Sequence, residues 1–309
     1  MATIDLHIHS TSSSDGQFTP IELVDLCKQA GLTHAAIADH NSVSAIEQAL
    51  NASLGCNLQI IPALELDCTF LETNLHLLGY GINYHDKVFE EIEASVLAQE
   101  QQASSQRVQA IHELGIAFDE DLLASLAIEG VVPGEMIAEA ALSYDTANTN
   151  PILDPYRKPG PRSDNPFVNF YWDFFSKGKP AYVPMAFMSL QEAVQVIKQT
   201  GGASVLAHPG VNLKENAFLL KQIIAAGIQG LEVYTSYHNT QQTHLYWQAA
   251  QEHHLLMTCG SDFHGKTKPA IKIGSVDCQD NEHAILQGLR NHGVVIDLSL
   301  LNQTKHKIG

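Results

Sequence analysis

The chain has 309 residues, 45% hydrophobic and 17% charged, a composition that suits a globular enzyme with room for one large α/β barrel or two ordinary domains. Its formal net charge of −17 argues against broad binding to duplex nucleic acid, which needs a basic face to displace counterions. A small anionic substrate stays open, because bound metal ions reverse the sign of a pocket locally.

TIDLHI reads as the first strand. Thr19 suits an N-cap, Pro20 the first helical turn and Glu22 the dipole end, so IELVDLCKQA is a helix that stops at Gly31. HAAIAD is the next strand, Ser42 or Ser44 caps a second helix, LQIIPALEL is a third strand and NLHLLGYGI a fourth. Repeated βα units imply a parallel sheet with helices outside. The rhythm breaks from about Asp86 to about Tyr182. There VFEEIEASVLAQEQQASSQRVQAIHELG reads as one extended or kinked helix, another helix begins near Pro133, and a loop runs through DTANTNPILDPYRKPGPRSDNP to the aromatic FVNFYWDFF. The βα pattern returns at Ser189: helix SLQEAVQVIKQTG, strand ASVLAH, helix NAFLLKQIIAAG, strand IQGLEVYTS, helix TQQTHLYWQAAQEHH and strand LLMTCGSD. A final strand is expected in AIKIGSV and a final helix in HAILQGLRNHG. The expected fold is an α/β barrel of about seven strands over residues 1–85 and 183–309, interrupted by a mostly helical domain over residues 86–182.

The five cysteines show no CxxC spacing, which argues against a sulfur-ligated zinc site, and their scatter suits a reducing cytosol. MATIDLHIHS lacks the pattern of a signal peptide, and no apolar run reaches the length of a membrane span. A cytoplasmic protein that meets no membrane is expected.

His7 and His9 alternate on the first strand and so point to one face, where they can grip one ion together. Asp15, His40 in IADHNS, Glu65 in ALELDC, His76 in NLHLLGYGI, His208 in LAHPG, and Asp262 with His264 in GSDFHG complete the set. These residues lie near the ends of apolar runs, where a barrel of parallel strands gathers its chemistry. Imidazole and carboxylate suit zinc, manganese and iron. Glu65, with two oxygens, is the expected bridge between ions. Asp39 alternates away from His40 and is expected to orient a ligating histidine rather than bind metal. His34, His112, His244, His253, His254, His283, His292 and His306 are read as ordinary surface residues.

HIHS, ADHNS, AHPG and GSDFHG, in this order, resemble the four motifs of the PHP (polymerase and histidinol phosphatase) family of metal-dependent phosphoesterases. The resemblance implies a distorted (β/α)7 barrel with three divalent ions at the strand ends, manganese foremost, with iron, zinc or magnesium as alternatives. It groups His7, His9, Glu65 and Asp262 on one ion, Glu65, His76 and His208 on a second, and Asp15, His40 and His264 on a third. Several relatives carry histidine where this chain has Asp15. The insertion after NLHLLGYGI, ending in GKPAYVP, resembles the subgroup that dephosphorylates nucleoside 3′,5′-bisphosphates and trims short RNA from its 5′ end.

The implied reaction is attack of a metal-bound hydroxide on a phosphate monoester of a small nucleotide, a 3′,5′-bisphosphate before AMP. The catalytic candidates are Asp262, His264 and His238. Of four arginines, Arg157 and Arg162 flank Lys158 and are expected to fork onto a phosphate; Lys179, Tyr234 and His238 are further substrate contacts. A short-RNA 5′-3′ exonuclease, an AMP-type phosphatase, an amidohydrolase-like C–N hydrolase and a non-catalytic metal-stabilised module are the alternatives.

Overall fold

A computed structural model describes residues 3–301, so His306 lies outside the described residues. The fold is mixed α/β. Three strands, β1 (Ile4–Ile8), β2 (His34–Ile37) and β3 (Gln59–Ile60), pair in parallel as one sheet. The second sheet holds β4 (Ala63–Phe70), β5 (Thr73–Tyr80), β6 (Met188–Ser189), β7 (Ala203–Leu206), β8 (Gly230–Thr235) and β9 (Leu256–Gly260), in the order β6-β4-β5-β7-β8-β9. Two isolated parallel bridges, Ile8 with Phe263 and His40 with Glu65, link the sheets. Both fall inside the metal motifs. β1, β2, β7 and β8 are buried along their whole length, as strands covered on both faces must be. Tyr80, itself buried, crosses from β5 to donate its hydroxyl to Leu6 O of β1 at 2.9 Å.

The helices follow from local chemistry. α1 (Pro20–Gln29) opens on a capping box of Thr19 and Glu22. α2 (Ile46–Ala52) starts after Ala45 with no side-chain cap. The expected cap from Ser42 or Ser44 fails because Ser42 Oγ instead donates to Glu93 at 2.7 Å. α3 (Lys87–Glu113) is one 27-residue helix capped by Asp86, followed by α4 (Glu120–Leu126), α5 (Gly134–Tyr144) and α6 (Pro166–Phe174). A separate apolar cluster including Ile111, Ile137, Leu153, Phe170 and Ala181 packs these helices together. α7 (Leu190–Gln199), α8 (Pro209–Asn212), α9 (Ala217–Ala225), α10 (Thr240–Glu252) and α11 (Glu282–Asn291) complete the chain. No helix among the described residues is long and apolar enough to cross a membrane.

The structure corrects three sequence expectations. LQIIPALEL is two strands, not one: Pro62, with no N–H to donate, separates β3 from β4, and the two join different sheets. β4 and β5 are an antiparallel hairpin, and β5 also runs antiparallel to β7, so the sheet is not all parallel. AIKIGSV forms no strand; its Gly274 N–H donates to the buried Asp5 carboxylate at 2.8 Å.

Gly260 shows how tightly β9 meets β1. A Cβ there would collide with His7 Cβ and sit 2.8 Å from Glu232 Oε1. Gly260→Ala is therefore expected to cost about 1–3 kcal/mol in urea unfolding of the chelator-treated protein; an unchanged midpoint would contradict this packing.

Candidate metal centre

The ends of β1, β2, β7 and β9 deliver most of the donors, while Glu65 and His76, expected at strand ends, come from within the β4–β5 hairpin. Backbone hydrogen bonds fix them. Asp262 N–H donates to His7 O at 2.7 Å, Asn41 N–H to Glu65 O at 2.8 Å and Ala207 N–H to His76 O at 3.0 Å. His208 (φ 26°) and Asp262 (φ 57°) both adopt the left-handed region, a strain that persists only where surroundings enforce it. The turn after His208 is enforced by His238. A Cβ on Gly210 would lie 2.6 Å from His238 Cδ2, and Gly210 N–H donates to His238 Nε2 at 2.9 Å.

Glu65, fully buried, is the hub. Its Oε2 lies 3.2 Å from His7 Nε2, 3.3 Å from His9 Nε2 and 3.3 Å from His40 Nδ1. Its Oε1 lies 3.1 Å from both His76 Nδ1 and His208 Nε2. Asp262 Oδ1 stands 3.0 Å from His9 Nε2 and 3.4 Å from His7 Nε2. His264 Nε2 meets Asp15 Oδ2 at 3.1 Å and stacks on His9 at 4.0 Å. All nine sequence candidates thus lie in this one cluster. Ligand atoms close enough to share an ion occur in the groups His7–His9–Glu65–Asp262, Glu65–His76–His208 and His9–His40–His264, and in a group not foreseen, His40–Asp67–His76.

The donor set fits divalent ions. Two ligands each about 2.1 Å from one ion sit about 3.0–3.4 Å apart, the spacing seen here. Asp15 Oδ1, His40 Nδ1, Glu65 Oε2, Asp262 Oδ1 and His264 Nε2 are buried without a hydrogen-bond partner, and buried polar atoms are otherwise almost always satisfied.

Outer groups set the tautomers. His7 Nδ1 donates to Glu232 Oε1 at 3.0 Å, whose other oxygen accepts His208 N–H at 2.7 Å. His9 Nδ1 meets Ser13 Oγ at 3.0 Å, and Ser13 in turn donates to Asp39. Each arrangement leaves Nε2 bare toward the cluster. Asp39 therefore touches no imidazole itself; it holds Ser10 and, through Ser13, His9.

The charges are strongly coupled. Burial, with His264 and His40 nearby, pushes His9 down to about 4, keeping it neutral. Burial would also depress His7, yet the Glu65, Glu232 and Asp262 carboxylates hold it well above its usual value. Burial would raise Glu65, but His7, His76 and His40 hold it well below the carboxylate range. Carboxylate charge that draws a proton onto His7 equally draws a cation.

Sequence expectations for the substrate contacts fail at several positions. His238 donates from Nδ1 to Val233 O at 2.9 Å while Nε2 accepts from Gly210. Both ring nitrogens are committed, burial lowers its pKa, and it is not free to act as acid or phosphate ligand. Arg157 gives Nη2 to Asp145 at 3.0 Å while its Nη1 has no hydrogen-bond partner, and Arg162 forks onto Asp173 at 2.8 and 3.0 Å, which closes the Arg162 fork to a phosphate. Lys158 and Lys179 are exposed, with no ion pair recorded for either. Tyr234 is buried, its hydroxyl accepting from Asn281 at 2.9 Å. His34 is buried too, not a surface residue, between Thr33 and Asp297 O.

Tyr237 reaches the centre instead, donating to Asp262 Oδ2 at 2.5 Å, where Lys268 also donates at 2.7 Å. Sequence reading missed both, along with Glu232, Ser13 and Asp67. For Glu232 a signal existed: an acid inside the apolar strand LEVYT. From the helical segment, Glu139 pairs with Lys266 at 2.7 Å. One turn earlier on α5, Glu135 is buried and pushed up to about 8, by burial first and then by Asp15, while Lys268 and Arg107 pull it down. Between its ordinary 4.5 and about 8 the folded protein keeps a proton that the unfolded chain has lost, so Glu135 makes stability fall as pH rises. Glu135→Gln should therefore raise the melting temperature of the metal-free protein over wild type by a margin that widens from pH 5 to pH 8; a constant margin would refute the shift.

A PHP domain model matches residues 5–139. The 3′,5′-nucleoside bisphosphate phosphatase of Chromobacterium violaceum is 25% identical over 90% of this chain and 92% of its own length. The 5′-3′ exoribonuclease Rnm of Escherichia coli is 27% identical over 87% of each. A solved structure described as an amidohydrolase from Chromobacterium violaceum, with bound sulfate and no metal, gives a TM-score of 0.74 at 25% identity, covering 89% of this chain and 91% of that one. Another, assigned as a metal-dependent phosphoesterase from Bifidobacterium adolescentis, gives 0.70 at 27% identity over 96% and 97%. The PHP match spans the stretch that carries His7, His9, Asp15, His40, Glu65 and His76, six of the nine donors that meet at this centre.

Proposed function

We propose that this chain is a metal-dependent phosphoesterase that hydrolyses a phosphate monoester of a small nucleotide, best a nucleoside 3′,5′-bisphosphate, to the 5′-monophosphate and phosphate. The observation that carries the reading is the convergence of five imidazoles on the two oxygens of one buried carboxylate, Glu65. His7, His9, Glu65 and Asp262 form one ion set, Glu65, His76 and His208 a second, and Asp15, His40 and His264 a third. Divalent ions, manganese foremost, supply when bound the positive charge that phosphate oxygens require, and they lower the pKa of water to about 7.

The chain's own residues do the rest. Glu65 divides its oxygens between the two histidine groups, and Asp262 turns Oδ1 to the donors while its outer oxygen is held by Tyr237 and Lys268. The two inter-sheet bridges support a distorted (β/α)7 barrel. The separate apolar cluster and the Glu139–Lys266 pair support residues 86–182 as an inserted helical domain that covers the mouth and excludes water.

Nucleotide specificity is supported by the bisphosphate phosphatase relative. A second reading, 5′-3′ trimming of short RNA, is favoured by the 27% identity to Rnm; in both the 3′-oxygen leaves, and the two differ in whether the phosphorus also carries the next nucleoside. Manganese-loaded protein should release phosphate from adenosine 3′,5′-bisphosphate faster than from AMP or a 5′-phosphorylated dinucleotide. Chelator should abolish this, and His9→Ala or Asp262→Ala should reduce it by about 100-fold or more. Silence across these esters, or preferential cleavage of amides and lactones tested beside them, would overturn the proposal.

A further inference from the structure

Lys268 follows the short turn Gly265–Thr267 after the last motif. It is 9% exposed, and among the described residues its ammonium has one hydrogen-bond partner, Asp262 Oδ2 at 2.7 Å. The same oxygen accepts the Tyr237 hydroxyl, and the ammonium stands 5.5 Å over the Tyr237 ring. A buried ammonium carries three donors and needs anionic company.

Asp262 is a divided partner. Its Oδ1 faces His9 and His7 and has no hydrogen bond of its own. When that carboxylate serves divalent ions, its charge is shared and Lys268 becomes a surplus cation at the edge of the centre. Two further acids stand on that side: Asp15, which faces His264, and buried Glu135, which is held largely protonated at neutral pH and so supplies little negative charge. None of the four arginines contacts Asp262: Arg107 is paired with Glu100, Arg157 through Nη2 with Asp145 and Arg162 with Asp173, while Arg290 is exposed on α11. A phosphate dianion is the anion that would complete the set.

We propose that Lys268 is a further catalytic residue: its ammonium binds the nonbridging oxygens of the phosphoryl group and stabilises their charge as the ester bond breaks, with the Tyr237 ring beneath it limiting where it points. The inference rests on the phosphoesterase reading. In the step served, the bond between phosphorus and the ester oxygen breaks and one between phosphorus and a water oxygen forms. The ester oxygen keeps the electron pair and leaves with a proton derived from that water, and Lys268 keeps its protons throughout.

The test compares wild type, Lys268→Met, Lys268→Gln and Lys268→Arg, all shown to be folded by circular dichroism and loaded with manganese. Removing the ammonium should lower kcat on adenosine 3′,5′-bisphosphate about 100-fold and weaken calorimetric binding of inorganic phosphate about tenfold. Manganese content should stay at the wild-type level, and arginine should recover part of both losses. Unchanged turnover and phosphate affinity would overturn the proposal. So would manganese loss in parallel with activity, which would make Lys268 a positioning residue for Asp262. A wild type that turns over no ester fails the phosphoesterase reading, while the phosphate-binding comparison still decides whether Lys268 holds this anion.

Discussion

The organising constraint is a carboxylate, Glu65, buried with no access to water and ringed by five imidazoles. A buried charge is tolerable only with compensating charge and hydrogen bonds. Here Oε2 has no hydrogen bond, so compensation must come from protons on the imidazoles or from cations between them. Strand ends, inter-sheet bridges and left-handed residues all serve to hold these mutually unfavourable neighbours in place.

A second layer of acids makes that possible. Glu232 grips the ring of His7, 225 residues away in sequence, and the backbone of His208 at once. Asp39 gathers Ser10 and Ser13, and Asp5 accepts N–H groups from Ser261 and Gly274. Each lies on or next to a strand of the interior, where an unpaired carboxylate would be costly. The arrangement explains why segments so distant in sequence meet with sub-ångström demands on geometry.

Much of the centre was legible because ligand chemistry restricts residue type: histidines and acids at strand ends have few other uses. Helices were legible where capping was explicit, as at Thr19–Glu22 and Ser189–Glu192. What stayed hidden depended on long-range partners. Nothing local marks β5 as antiparallel, since NLHLLGYGI carries the same apolar pattern in either direction. The basic run PYRKPGPRSD gives no hint that Asp145 and Asp173 will occupy its guanidiniums. Tyr237 and Lys268 lack a motif of their own, and Tyr234 and His238 lost their expected roles to hydrogen bonds with Asn281, Val233 and Gly210.

The reversed direction of β5 also explains the longest helix. A strand running against β4 and β7 ends where they begin; Gly81, just past it, bonds to Pro62 ahead of β4. The chain thus leaves this hairpin at the edge of the sheet where β4 and β7 begin. At 1.5 Å per residue, the 27 residues of α3 span about 40 Å, with Glu93 accepting from Ser42 near its start. α3 is thus the bridge between two apolar cores: Phe89 and Ile92 near its start pack with the strands, and Ile111 near its end packs with the helical cluster.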